Sequence, residues 1–257
     1  MNPASVMLRP FLCASESVAL HLVICPFAGA SSGAFRSWRG LGEIGAACSL
    51  AVYPGRDQRM HEPCAERIDL LAAQLAAEIA ALPPARRRLL LLAGHSMGAQ
   101  VAFETCLLLE RRGSPPAGLV LSGCHAPHLR ARRLLSHLDD RAFVEQLIAI
   151  GGLGPELQAE PPLLALFLPL LRADFRATEN YRRERLAGHA RLFTPTLLLY
   201  GSSDGEAWRD EVEAWRVWLH EASDPIALAG DHFYVTKRPR AFAGAVLRHF
   251  EPILASY

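Results

Sequence analysis

A chain of 257 residues that is 51% hydrophobic can bury one large core under the usual polar cover. Its 27 Lys and Arg against 26 Asp and Glu leave a formal net charge of +1, which argues against the basic face a nucleic-acid binder needs. The 6 cysteines match neither a zinc knuckle nor a small disulfide framework, and no stretch reads as a targeting signal or a membrane span. These features predict one domain over 1–257, monomeric and cytoplasmic.

In chain order, "LHLVICPFAG" (20–29) reads as a buried strand that stops in a loop from Pro26 to Gly29. "SGAFRSWRGLGE" (32–43) follows as a short helix and "CSLAVYPGR" (48–56) as a strand ended by Pro54 and Gly55. "RIDLLAAQLAAEIAAL" (67–82) is an amphipathic helix closed by Pro83 and Pro84. The strand "RLLLLAG" (88–94), the helix "AQVAFETCLLLERRG" (99–113) and the strand "AGLVLSG" (117–123) come next. Late in the chain stand the strand "TPTLLLYGSSD" (194–204), a helix over "DEVEAWRVWLHEA" (210–222), the strand "PIALAGD" (225–231) and a closing helix over 239–254. Continuous apolar strands separated by helices predict an α/β fold, a mostly parallel sheet covered on both faces.

One interval breaks this rhythm. Between Cys124 and Arg191 only helical pieces appear, "DRAFVEQLIAI" (140–150) and "PPLLALFLPLLRADFRATENY" (161–181), with apolar residues on more than one stripe. Two accounts stand: a helical excursion packed on the sheet, or a lid over 125–190 whose extra apolar face lines a substrate tunnel. Gly123 and Gly188 sit at its ends as hinge candidates.

Gly94-His95-Ser96-Met97-Gly98 stands at the junction of a strand and a helix, as a nucleophile elbow requires. Gly94 and Gly98 remove side chains that would strike the neighbouring backbone, which leaves the Ser96 hydroxyl exposed. The amide of Met97, first in the helix, then points at the oxygen of a tetrahedral intermediate. Ser96 needs a base, and 10 histidines compete. His95 should point away from its neighbour, and His21 and His249 lie in a strand and a helix. His125 and His128 are rivals, and His232, in the late loop "GDHFYV" (230–235), has the best position. The order nucleophile, acid, histidine selects Asp204 as the acid, ahead of Glu206, Asp210 and Asp231. A second oxyanion amide is expected from Phe27 or Ala28, where Ala28, Gly29 and Ala30 allow close approach. Gly29 and Gly33 lack the Lys and Ser/Thr of a phosphate loop, so no cofactor and no metal are implied.

Four segments together resemble the external (type II) thioesterases of nonribosomal peptide and polyketide synthesis, within the α/β-hydrolase superfamily. They are "CPFAGASSGAF" (25–35), "YPGRDQRMHEP" (53–63), "GHSMGA" (94–99) and "GDHFYV" (230–235), and within that family the chain resembles members from siderophore pathways. The resemblance implies hydrolysis of acyl or aminoacyl thioesters from the phosphopantetheine arm of carrier domains, with nucleophile, acid and base falling on Ser96, Asp204 and His232. The near-neutral charge and the lack of a long apolar span point to no nucleic-acid and no membrane partner. Many members carry two glycines before the histidine where this chain has Gly230-Asp231, and the acidic neighbour is expected to favour the imidazolium of His232. Arg56 and Arg59 have two readings, loop-anchoring ion pairs or contacts to a phosphate-bearing arm. Two alternatives to a thioesterase remain: a small-molecule esterase or lipase, and a carrier-binding module with little catalysis.

Overall fold

The computed structural model describes residues 6–12, 20–41, 45–184 and 191–254. Among the described residues the sheet has seven strands in the order β1-β3-β2-β4-β5-β6-β7: β1 Leu8–Leu12, β2 Leu20–Cys25, β3 Ala47–Ala51, β4 Leu89–His95, β5 Gly118–Ser122, β6 Thr196–Gly201 and β7 Ile226–Leu228. Every pairing is parallel except β1 with β3.

The continuous apolar runs of β2, β4 and β5 divide between the two faces by strand alternation. Val23, Leu90, Leu92, Leu119 and Leu121 face helices α1 (Ile68–Ala81) and α3 (Met97–Arg111) in one core. Leu22, Ile24, Leu91, Ala93 and Val120 face the 3₁₀ segment Ser32–Leu41 and helix α9 (Pro239–Leu254) in the other. At about 1.5–3 kcal/mol per fully buried aliphatic side chain, this two-sided burial is the main force holding the sheet. Because β2, β4, β5, β6 and β7 run the same way, the loops after them gather at one carboxyl edge. That edge is where open parallel sheets place their ligands.

Three elements differ from the sequence expectation. Strand β1 was not foreseen: Arg9 and Pro10 break its apolar pattern, and only an edge strand with a bulge, as at Pro10/Leu12, accommodates such a proline. The segment at 32–41 is 3₁₀ rather than α, and its buried residues Phe35, Trp38 and Leu41 line up on one face at the three-residue period. The helix expected over 210–222 is an α-turn, α7 (Arg209–Glu213), followed by a 3₁₀ turn at Ala214–Trp218. There Trp215 and Trp218, three apart, donate their indole N–H groups to the Cys124 carbonyl and to His128 Nδ1.

Between β5 and β6 the described residues form no strand but three helices, α4 (Asp140–Ala149), α5 (Pro155–Gln158) and α6 (Pro161–Asn180). Leu135, Phe143, Leu147, Leu153, Leu170 and Leu171 make a separate apolar cluster among them. The Arg183 amide donates to the Pro127 carbonyl, which draws the two ends of the excursion together. Gly123 has φ +54°, and Gly188 lies outside the described residues. The remaining short helices are α2 (Pro84–Arg87), which places Arg86 and Arg87 before β4 at the opposite edge, and α8 (Tyr234–Lys237). Among the described residues, no helix is long and apolar enough to cross a membrane.

Candidate active site

Ser96 occupies the single residue between β4 and α3, with φ 54° and ψ −123°. A non-glycine residue there is strained, and the surroundings must hold it. Gly94 and Gly98 make this possible. A Cβ on Gly94 would lie 2.1 Å from the Gly98 carbonyl oxygen, and one on Gly98 would lie 2.0 Å from that of Cys25. The turn also leaves the Met97 amide at the first position of a helix of 15 residues, without an intrahelical acceptor.

His232 follows β7, and its Nδ1 lies 3.0 and 2.9 Å from the two carboxylate oxygens of Asp204, which follows β6. The same carboxylate accepts the amides of Glu206 and Ala207 at 2.8 and 3.0 Å. Burial pushes the Asp204 pKa up, but the hydrogen bond and charge of His232 and the two amides outweigh it, and the net direction is down. An ionised Asp204 only accepts, so Nδ1 carries the proton and Nε2 is the basic nitrogen. Ser96 and His232 line one cavity of about 110 Å³, together with Phe27, Ala28, Cys124 and Leu171.

The competing residues are occupied elsewhere. His95 turns away from Ser96 as expected: its Nε2 lies 2.7 Å from the His232 carbonyl oxygen and its Nδ1 2.9 Å from Ser122 Oγ. Ser122 is bonded in turn to the Tyr234 hydroxyl. Burial, reinforced by the His232 charge, lowers the His95 pKa to about 3. The ring is therefore neutral, with Nε2–H donating to the His232 carbonyl and Nδ1 accepting from Ser122. His21 contacts Ser49 Oγ at 2.8 Å, while His125 lines the cavity and the Asp204 carboxylate is held by His232. Glu206 pairs with Arg133 at 3.3 Å. Asp231 pairs with Lys237 at 2.5 Å and accepts the Phe233 amide, so its carboxylate is engaged away from the His232 ring.

In the loop after β2, the Gly29 amide donates to Asp174 Oδ2 at 2.7 Å. That leaves Phe27 and Ala28, both on the cavity wall, as the two oxyanion candidates. Arg56 and Arg59 are loop anchors rather than contacts to a substrate arm. Both are 3% exposed; Arg56 pairs with Asp174, and Arg59 holds Glu62, Gln74 and the Val52 carbonyl.

The arginines at the two ends of the excursion, Arg130, Arg132 and Arg133 at one and Arg182, Arg183 and Arg185 at the other, are partly tied down. Arg132 pairs with Glu211 at 2.9 Å, donates to the Gly205 carbonyl and lies 3.8 Å over the Trp208 ring. Arg183 pairs with Glu104, whereas Arg130 and Arg182 are exposed; Arg185 lies outside the described residues. Sequence reasoning missed Asp174. Its only signal was a lone acid inside the apolar run "LFLPLLRADF".

A family model described as a thioesterase domain matches residues 20–254. The probable anguibactin biosynthesis thioesterase AngT of Vibrio anguillarum is 43% identical over 225 residues, 86% of this chain and 88% of that protein. Among solved structures, YbtT, a type II thioesterase from the yersiniabactin NRPS/PKS biosynthetic pathway, is 50% identical at a TM-score of 0.90, covering 96% of this chain and 99% of that one. RedJ, a thioesterase from the prodiginine pathway in Streptomyces coelicolor, is 32% identical at a TM-score of 0.79, covering 95% and 91%.

Proposed function

The chain belongs to the thioesterase family, and on that premise we propose that it is a type II thioesterase serving a nonribosomal peptide or polyketide synthetase. It hydrolyses acyl or aminoacyl thioesters from the phosphopantetheine arm of carrier proteins. The observation that carries this reading is Asp204 on His232 Nδ1, with His232 and Ser96 on one apolar cavity beneath a helical excursion.

In this reading His232 Nε2 takes the Ser96 proton as Oγ attacks the thioester carbonyl. The carbonyl π pair moves onto oxygen, where the Met97 amide and that of Phe27 or Ala28 stabilise it. Collapse breaks the C–S bond, and the departing pantetheine sulfur takes the proton from His232. Water, deprotonated by the same nitrogen, then attacks the acyl-Ser96 ester; collapse breaks the C–Oγ bond, His232 returns the proton to Ser96 Oγ, and the free acid leaves. The excursion at 125–190 acts as the lid, with Leu171 on α6 closing the apolar side of the cavity. A monomer in the cytoplasm fits the five described cysteines, all of them free thiols. The two relatives from the anguibactin and yersiniabactin pathways favour siderophore assembly as the setting.

The test is intact-mass measurement of acyl-loaded carrier protein beside turnover of p-nitrophenyl esters. Release of the acyl group from the carrier at much higher kcat/KM than from free esters is expected. Preference for free esters would make the chain an esterase, and carrier binding without release a docking module.

A further inference from the structure

The loop from Pro26 to Ser32 is gripped by side chains from two distant parts of the chain. Tyr53 Oη donates to the Pro26 carbonyl at 3.2 Å, and Arg56 Nη1 to the Ala30 carbonyl at 3.1 Å. Asp57 accepts the Ser32 amide at 2.8 Å and its hydroxyl at 3.0 Å. The middle of the loop, Gly29 at φ +77°, is held from helix α6 by Asp174 Oδ2. Leu171, one turn earlier on α6, puts a methyl 2.4 Å from where a Gly29 Cβ would stand. Asp174 is bound in turn by both terminal nitrogens of Arg56, at 2.8 and 2.7 Å.

We propose that Asp174, with Arg56, is a positioning pair for the oxyanion loop. The helix that covers the cavity thereby also sets the direction of the Phe27 and Ala28 amides. Stability alone does not account for the pair. Two buried charges pay a desolvation penalty that their attraction only partly offsets, and well-packed apolar residues hold such a place equally well. Arg56 Nε, moreover, has no partner among the described residues. The polar contacts that remain converge on one loop: Asp174 fixes the amide of Gly29, and Arg56 fixes the carbonyl of the next residue. Oxyanion donors act only when aimed before the charge develops, and an error of about 1 Å costs on the order of 10²-fold. The inference deepens the proposed function and rests on Ser96 being its nucleophile.

The experiment replaces both charges, Arg56→Met with Asp174→Leu, so that no lone buried charge is left. A small acyl thioester lacking a carrier reports the chemistry, and an alkyl boronic acid that adds to Ser96 reports the oxyanion site. Expected is a fall in kcat of roughly 10²-fold with KM within about twofold. The boronate Kd should rise in parallel, with the thermal midpoint little changed. Arg56→Lys, which keeps a charge beside Asp174 but loses the fork that holds both the carboxylate and the Ala30 carbonyl, should lose about tenfold in kcat with the same parallel in Kd; it decides the matter where the double variant does not fold. Wild-type kcat in a folded variant, or a loss of kcat without weaker boronate binding, overturns the proposal. Substantial turnover by Ser96→Ala would instead sink the nucleophile assignment beneath it.

Discussion

At Asp204 a single carboxylate does two jobs, orienting His232 and staying ionised while 7% exposed. Asp204→Asn presents an amide that can donate to Nδ1 and stabilise the wrong tautomer. By the serine-protease precedent, about 10⁴-fold in kcat should be lost with folding preserved. Steady-state hydrolysis of a small thioester measures it, and a mild effect beside a crippling Glu206→Gln would move the acid. His95 carries a different prediction. Its pKa lies at about 3 in the folded chain against an ordinary 6.5, so the unfolded state binds the extra proton between those values. Its contribution to stability is complete above pH 6.5 and drains away as pH falls toward 3, at up to about 1.4 kcal/mol per pH unit. Urea unfolding between pH 7 and 4 should therefore show a shallower acid loss in His95→Gln. An unchanged slope would mean that the buried ring is not the group being protonated. His21, His125 and His249 are shifted the same way and keep some slope in the variant.

Elements were legible in the sequence where one local rule decided them. Strand β4, the elbow and α3 follow from an apolar run, two glycines and a helical stripe, all within neighbours in the chain. The 3₁₀ segments were not, because Phe35-Trp38-Leu41 and Trp215-Trp218 satisfy α and 3₁₀ spacing alike until their burial partners are known. Asp174 was invisible as a site residue for the same reason. Its partners Gly29 and Arg56 stand 145 and 118 positions away, and only the packing of α6 brings them together. The elbow offers the sharpest test at this scale. Gly98→Ala drives a methyl into the Cys25 carbonyl, so the α3 start must retreat from β2. A loss of about 3 kcal/mol in stability and near-complete loss of turnover are expected, as for overpacking against rigid backbone. Denaturant melts and thioester assays would check both. A fully active, stable Gly98→Ala would mean the turn is looser than its dihedrals imply.

Over the whole molecule, net charge is +1, so any attraction for a carrier domain must come from local groups rather than from the overall field. A carrier with an acidic face would meet this chain at its arginines, which gather at the two ends of the excursion. The structure divides them by role. Arg132, Arg133 and Arg183 spend their charge on Glu211, Glu206 and Glu104, and so fasten the excursion to the body. Arg130 and Arg182 remain exposed, close in the chain to the contact between the Pro127 carbonyl and the Arg183 amide. Exposed rim charges accelerate encounter and are screened by salt, whereas fastening pairs act on any substrate. Arg130→Glu with Arg182→Glu should accordingly raise KM for acyl-carrier protein several-fold at low salt. The effect should fade toward 0.5 M salt, with hydrolysis of a small thioester unaltered. Arg132→Glu should impair both substrates, since it places like charges against Glu211 and frees Trp208. Steady-state kinetics on the two substrates at low and high salt distinguish these outcomes. Equal losses on both substrates in the Arg130/Arg182 variant would remove those residues from carrier docking and leave them as parts of the excursion's own anchorage.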